Sequence, residues 1–279
     1  MKLPELNAST LLREHGLRAD KGLGQNFLHD PVQLELIADA AEIQPKDVVL
    51  EIGPGLGSLT RYLALSAQSV ISVELDHDLI PVLKSVLAPY PNIRIIEGDI
   101  LNISPSAIMG TNDYIVVANV PYYITSAIFR HLLGATPRPR RIVLTVQKEV
   151  AERICAKPGD MSLLALSVQI YGTPRITHFI PSEAFYPVPK VDSAVLRVDL
   201  NPTPLIPEDQ IGTFFLVAKA GFSQKRKTLR NSMSGGLRIS TDDAGQILEK
   251  SEIDPMRRAE TLTMKEWFTL TRQYLLDRS

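Results

Sequence analysis

Four residues of this chain, Asn119-Val120-Pro121-Tyr122, follow directly on the apolar run Tyr114–Ala118. Their types suit one chemistry, methylation of an amino group carried on a planar ring. The lone pair of such a nitrogen is delocalised into the ring, so it is a poor nucleophile. Two acceptors aimed at its N–H bonds draw it towards tetrahedral geometry and free that pair. The Asn119 side-chain oxygen and the Val120 carbonyl are the candidates. Pro121 fixes the backbone direction and disfavours a helical Val120. Tyr122 offers an aromatic face on which a base can stack, worth about 1–3 kcal/mol. The same residues also read as a strand stop with turn chemistry. What surrounds them decides between the two.

A second cluster lies upstream, in Glu51-Ile52-Gly53-Pro54-Gly55-Leu56-Gly57. It follows a strand-like run and precedes a helix-like one, where an open sheet usually binds its ligand. A dinucleotide fingerprint wants glycines at the first, third and sixth positions. Here they fall at the first, third and fifth, and the sixth position is Ser58. Pro54 also lacks the N–H that a phosphate cradle would use. Both features favour a nucleoside cofactor without phosphate, S-adenosylmethionine, over NAD. Gly53 marks the close backbone approach. Glu74, 21 residues beyond it and after the next strand, can accept both hydroxyls of a ribose. Asp99 follows the third strand and can accept from the exocyclic amine of the cofactor's adenine. A sulfonium methyl is already an activated electrophile, so neither a metal nor a covalent nucleophile is needed, and in-line positioning supplies much of the acceleration.

The elements that must position these groups alternate along the chain. Asp30-Pro31 is an N-cap with proline at the first helical position, opening an amphipathic helix through Ala41. Strands are expected at Asp47–Ile52, Ser69–Val73, Asn92–Ile96, Tyr114–Ala118 and Arg141–Val146, with helices at Leu59–Leu65 and Leu79–Leu87 between the early ones. That alternation predicts a parallel sheet with helices on both faces. Leu166–Tyr171 and Ser193–Leu200 also look strand-like, separated by the proline-rich loop Pro181–Pro189, and are expected to pair as an edge hairpin. Asn201–Pro207 reads as a stiff linker, since its prolines fix the backbone and withhold ladder donors. Helices at Gln210–Ala220, Asp242–Lys250 and Met264–Leu276 then form a small helical domain. The expected division is 1–200 and 201–279.

Bulk properties exclude several classes. The chain has 279 residues, 44% hydrophobic and 22% charged, as in an ordinary globular protein. Its single cysteine, Cys155, allows neither an internal disulfide nor a cysteine zinc site. The start, Met1–Lys21, carries charges throughout and no long apolar run, so it reads as neither a signal peptide nor a membrane anchor. A reducing cytoplasm is the expected setting, and a monomer the expected state. The net charge of −1 argues against indiscriminate coating of nucleic acid. Residues 210–241 nevertheless contain no acid while carrying six cations, among them Lys225, Arg226, Lys227 and Arg230. Clustered cations beside the amides and hydroxyls of Gln224, Thr228 and Asn231 suit phosphate oxygens, so this stretch is the candidate RNA contact. A solvated helix face is the other reading.

Taken together, these segments closely resemble the small-subunit ribosomal RNA adenine dimethyltransferases, the kasugamycin-sensitivity family, along nearly the whole chain. The resemblance is carried by Gly24-Gln25-Asn26-Phe27-Leu28, Glu51–Gly55, Val73-Glu74-Leu75-Asp76, Asn119–Tyr122, Gln147–Val150, Pro189–Ala194 and Gln224–Ser232. It implies a Rossmann-like class I methyltransferase with a mainly parallel seven-stranded sheet and a C-terminal helical RNA-binding domain. It also implies dimethylation of two adjacent adenosines near the 3′ end of 16S RNA in the immature 30S subunit. By the same resemblance, Asn26 and Leu28 close over the cofactor and Phe185 packs against the target adenine opposite Tyr122. From the residues alone, Gly24–Leu28 is a loop and Phe185 is equally a core aromatic.

The chain departs from the family pattern in two places. Val120 stands where leucine is frequent, which leaves the backbone carbonyl unchanged. Met161–Leu166 replaces a stretch that usually carries a basic residue. The rival readings are a macrolide-resistance type methyltransferase acting on large-subunit RNA, a DNA adenine methyltransferase, and a non-catalytic assembly factor. The Asn201–Pro207 linker and Gln224–Ser232 favour the small-subunit enzyme. No segment reads as a DNA target-recognition domain, and Gly53, Glu74, Asp99 and Asn119 together favour a working enzyme.

Overall fold

A computed structural model of the chain describes residues 3–278. It divides into two compact units, the chain up to Ala151 together with Thr173–Leu200, and Glu152–Gly172 together with the chain from Asn201.

The first unit opens with α1 (Ala8–Glu14), capped by the Asn7 side chain, and the two-residue strand β1 (Phe27–Leu28). Helix α2 (Pro31–Ala41) begins where the Asp30 carboxylate accepts from the N–H groups of Val32 and Gln33, with Pro31 in the first turn. Then β2 (Val48–Ile52), α3 (Ser58–Ser66), β3 (Ser69–Glu74), α4 (Ile80–Leu87) and β4 (Ile93–Glu97) alternate. After α5 (Pro105–Met109) come β5 (Ile115–Asn119), α6 (Thr125–Leu133), β6 (Arg141–Gln147) and α7 (Lys148–Ile154). The expected helices α2, α3 and α4 and the strands β2 to β6 lie within about two residues of the sequence expectation, while α1, β1, α5, α6 and α7 had no counterpart in it.

The remaining strands differ in detail. Leu163–Gln169 is a helix, α8, not part of a strand. Ser162 caps it, its hydroxyl accepting from the Ala165 N–H, and Ala165, Leu166 and Val168 are buried. An unbroken apolar run carries no period to tell helix from strand, and the cap decides it. The edge strand is instead β7 (Gly172–Ile180), whose burial alternates residue by residue as in a strand covered on one face. After the short β8 (Phe185–Tyr186) comes β9 (Ser193–Leu200). The seven-stranded sheet has the order β4-β3-β2-β5-β6-β9-β7. Pairs β3–β4, β2–β3, β2–β5 and β5–β6 are parallel, and β9 is antiparallel to β6, with Gln147 opposite Ser193. Strands β1 and β8 form a separate antiparallel pair.

The second unit holds α8, α9 (Ile211–Gly221), α10 (Leu229–Leu237), α11 (Thr241–Lys250) and α12 (Met264–Leu276). Glu152–Gly172 therefore joins a unit that a division at residue 200 leaves without it. Backbone bonds account for this: the Gly159 and Met161 N–H groups donate to the Glu260 carbonyl, and the Leu205 N–H donates to the Ile170 carbonyl. Trp267 is wholly buried and stacks on Phe222. Helices α9 and α10 approach so closely that a Cβ on Gly236 would lie 2.4 Å from the Ala220 Cα. Among the described residues no helix is long and apolar enough to cross a membrane.

Candidate active site

The strand order reverses between β2 and β5. β3 and β4 extend the sheet on one side, and β6, β9 and β7 on the other. A crevice opens outside the carboxyl ends of strands at such a switch point. Glu51 pairs with Val117 across it, so two residues further on each strand come Gly53 and Asn119. On the next strands Glu74 pairs with Glu97, and Asp99 follows two residues later. All four expected residues thus reach one level of the sheet. They line a single cavity together with Asn26, Leu28, Val120, Tyr122 and Phe185.

The glycine turn has three residues in the left-handed region, with φ of 66° at Gly53, 58° at Gly55 and 83° at Gly57. A side chain at Gly53 would project into open space, and one at Gly55 would meet the Phe27 ring at 3.1 Å. Gly53 thus leaves room over the turn, while Gly55 lets the loop before α2 lie against it. That loop is tied down at several points. Gln25 donates to the Asp76 carboxylate at 2.6 Å. Phe27 and Leu28 pair with Tyr186 and Phe185. Leu28 is therefore fixed at the cavity by a strand pair, with Asn26 just before it, which local sequence could not show because the partner strand lies some 158 residues away.

Glu74 is buried and accepts two backbone N–H groups, from Gly55 and from Asp76, each at 2.9 Å. Burial pushes its carboxyl above the usual range, and the two N–H donors oppose that. One bond at each oxygen leaves further lone pairs for donors in the cavity. Asp99 is half-buried and caps the following turn, accepting from the Leu101 N–H and the Asn102 amide. Glu51 also lines the cavity, and sequence reasoning gave it no role. Wholly buried, it accepts from the Ser72 hydroxyl at 2.8 Å, yet burial pushes its carboxyl up to about 7. Its signal was present, an acid inside an otherwise apolar strand.

At the reactive motif, the Asn119 amide nitrogen donates to the Asn26 carbonyl at 3.2 Å. That bond assigns the nitrogen to the loop and leaves Oδ1 as an acceptor. The turn Tyr122–Ile124 follows Pro121 directly. The Tyr122 hydroxyl is bonded to the Ser193 hydroxyl at 2.7 Å, and Ser193 is fully buried at the start of β9. Burial raises the Tyr122 pKa, with the Ser193 bond opposing it, so the phenol stays neutral. Ser193 is a residue the sequence reading passed over within the Pro189–Ala194 motif. Its link to Tyr122 spans 71 residues and exists only in the fold. Phe185 is 1% exposed; it lines the cavity and belongs to the apolar cluster of Leu28, Leu34 and Ile37.

The basic stretch lies in the second unit. Lys225, Arg226 and Lys227 are exposed in the turn between α9 and α10, so they do not form a helix face. Arg230 is half-buried in α10, its side chain packed beside Gly245 and its Nε buried without a hydrogen-bond partner.

Comparison with known proteins follows the same lines. A family model described as ribosomal RNA adenine dimethylase matches residues 16–270. A protein of Dehalococcoides mccartyi (strain CBDB1), named ribosomal RNA small subunit methyltransferase A, is 47% identical over 268 residues, covering 96% of this chain and 92% of that one. One of the same name from Moorella thermoacetica is 42% identical over 273 residues and covers 94% of each. Among solved structures, a dimethyladenosine transferase from Plasmodium falciparum matches with a TM-score of 0.78 and 25% identity, over 90% of this chain and 98% of that one. The 23S rRNA methyltransferase ErmE matches with a TM-score of 0.71 and 28% identity, over 89% and 99%.

Proposed function

This chain belongs to the ribosomal RNA adenine dimethylase family, and from that premise we propose that it dimethylates the N6 amino groups of two adjacent adenosines in the 3′-terminal hairpin loop of 16S RNA. The methyl donor is S-adenosylmethionine and the substrate particle is the immature 30S subunit, which would put a monomeric enzyme in the cytoplasm. One observation carries the reading: the Asn119 amide, fixed through Asn26, shares a cavity with Gly53, Glu74 and Tyr122.

The donor set fits that cofactor. Glu74 accepts from the ribose hydroxyls with the lone pairs its two backbone bonds leave over. Asp99 accepts from the adenine amino group, Gly53 leaves space beside the turn, and Asn26 and Leu28 close the cavity from the β1–β8 pair. When bound, the cofactor supplies a methyl group on a positively charged sulfur. The residues of the chain do the rest. Asn119 Oδ1 and the Val120 carbonyl accept the two N–H bonds of the target amine in the first transfer. One of them accepts the single N–H that remains in the second, and the lone pair is freed each time. The Tyr122 ring, held through Ser193, stacks on the extruded base, and Phe185 supports it from the other wall. An amide accepts hydrogen bonds without acting as a base, so the displaced proton passes to solvent. In the second unit, Lys225, Arg226 and Lys227, with Arg230 beside them, bind phosphates.

The match to ErmE favours one rival, a large-subunit target. Incubating the protein with methyl-labelled S-adenosylmethionine and unmethylated ribosomal subunits of both kinds separates them. Label in 16S RNA alone is expected, and label in 23S RNA alone would refute the assignment.

A further inference from the structure

Tyr123 is 63% exposed and yet lines the cavity. It follows Tyr122 in the same tight turn, and the two side chains are used differently. The Tyr122 hydroxyl is held at buried Ser193. The Tyr123 hydroxyl has no polar partner among the described residues, and its ring stands at the rim. One flank of that ring is backed by Gly24, which has φ of 63°: a Cβ there would come within 3.2 Å of two ring carbons and 3.3 Å of the Pro121 Cβ. The ring is thus backed along its Cδ1–Cε1 side and otherwise largely exposed. So exposed a ring adds little to the core, but a flat apolar surface beside a base-binding cavity is what stacking requires.

We propose that Tyr123 is the stacking platform for the nucleotide adjoining the target adenosine. This rests on the function proposed above. Two adjacent adenosines must enter one cavity in turn, and while one lies against Tyr122 the backbone holds its neighbour a single step away, at the rim. A platform reads that neighbour through its ring face and not its edge. Dimethylation of the neighbour's amino group leaves the ring face in place. Tyr123 therefore serves equally for the first adenosine modified and for the second, whereas a group bonded to the neighbour's N6 would lose its partner after the first round.

The test is a comparison of Tyr123→Ala, Tyr123→Phe and unsubstituted protein on two reconstituted subunits. One carries adenosine beside the target and the other an abasic residue, and kcat/KM is measured for transfer to the target alone. On the adenosine subunit, Tyr123→Ala should lose about tenfold or more, the range set by stacking of one base. On the abasic subunit it should match the unsubstituted protein, and Tyr123→Phe should match it on both. Equal loss on both subunits, no loss on either, or a loss in Tyr123→Phe equal to that in Tyr123→Ala would overturn the platform. Failure of the unsubstituted protein to methylate either subunit would instead overturn the function on which it rests.

Discussion

Replacing Ser193 by alanine removes the partner that the Tyr122 hydroxyl has among the described residues, a bond of 2.7 Å to a fully buried residue. The phenol is then left partly buried with its donor unsatisfied, which costs about 1–3 kcal/mol, a factor of roughly 5 to 150. The ring can escape that cost only by turning its hydroxyl towards water, which takes its face off the target base. Ser193→Ala should therefore lower kcat/KM for RNA by about tenfold while S-adenosylmethionine affinity holds. Tyr122→Phe leaves the Ser193 hydroxyl unsatisfied instead but has no phenol to turn towards water, so its loss of kcat/KM should be smaller. The double variant removes both hydroxyls, so its loss should fall short of the sum by about 1 kcal/mol or more. Steady-state kinetics on unmethylated small subunits, isothermal titration with the cofactor, and thermal melts of all four proteins form the assay. Ser193→Thr, which retains the hydroxyl, should recover most of the rate. Losses that add to within about 0.5 kcal/mol, or a lowered melting temperature with unchanged kinetics, would refute the reasoning.

Asn119→Ala should lower kcat by about 10²–10³, as loss of one well-placed charge-stabilising group does, with cofactor binding largely retained; equilibrium dialysis beside single-turnover transfer separates the two effects, and a kcat within tenfold of normal would count against the role. Glu51 links pH to stability. Its carboxyl holds a proton up to about 7 in the folded protein against an ordinary value of 4.5. The folded state therefore binds the extra proton between those values, and this contribution is lost as pH rises from 4.5 through 7, by up to about 3 kcal/mol. Unfolding curves should show a weaker decline over that range for Glu51→Gln, and parallel curves would contradict the burial argument. Reversing the charge of Lys225 and Arg226 should weaken RNA binding and reduce the slope of log K against log salt by up to about 2, with cofactor affinity intact; an unchanged slope would exclude phosphate contacts there.

The parallel half of the sheet was legible because each strand is a short apolar run alternating with a helix-like segment, and Asp30-Pro31 announces α2 with a cap and a proline together. Gly53, Glu74, Asp99 and Asn119 were legible because they sit at successive strand ends, where sequence order maps directly onto position in the crevice. Legibility failed where the deciding contact is distant or the pattern carries no period. Leu163–Gln169 is apolar nearly throughout, so only the Ser162 cap marks it as a helix. Helix α10, with Ser232, Ser234, Gly235 and Gly236, has poor intrinsic propensity, and Gly236 lets it press on Ala220 of α9. The Asn119–Asn26, Tyr122–Ser193 and Leu28–Phe185 contacts join parts of the chain that no local pattern connects.

The central claim is that the cavity built around Asn119 places two methyl groups on each of two neighbouring adenosines. It is tested most directly by digesting 16S RNA from treated, previously unmethylated subunits to nucleosides and short fragments and weighing them by mass spectrometry. The account predicts N6,N6-dimethyladenosine at two adjacent positions near the 3′ end, absent when Asn119→Ala replaces the unsubstituted protein. Methyl groups on any other nucleoside, only N6-monomethyladenosine at saturation, or undiminished product with Asn119→Ala would contradict it.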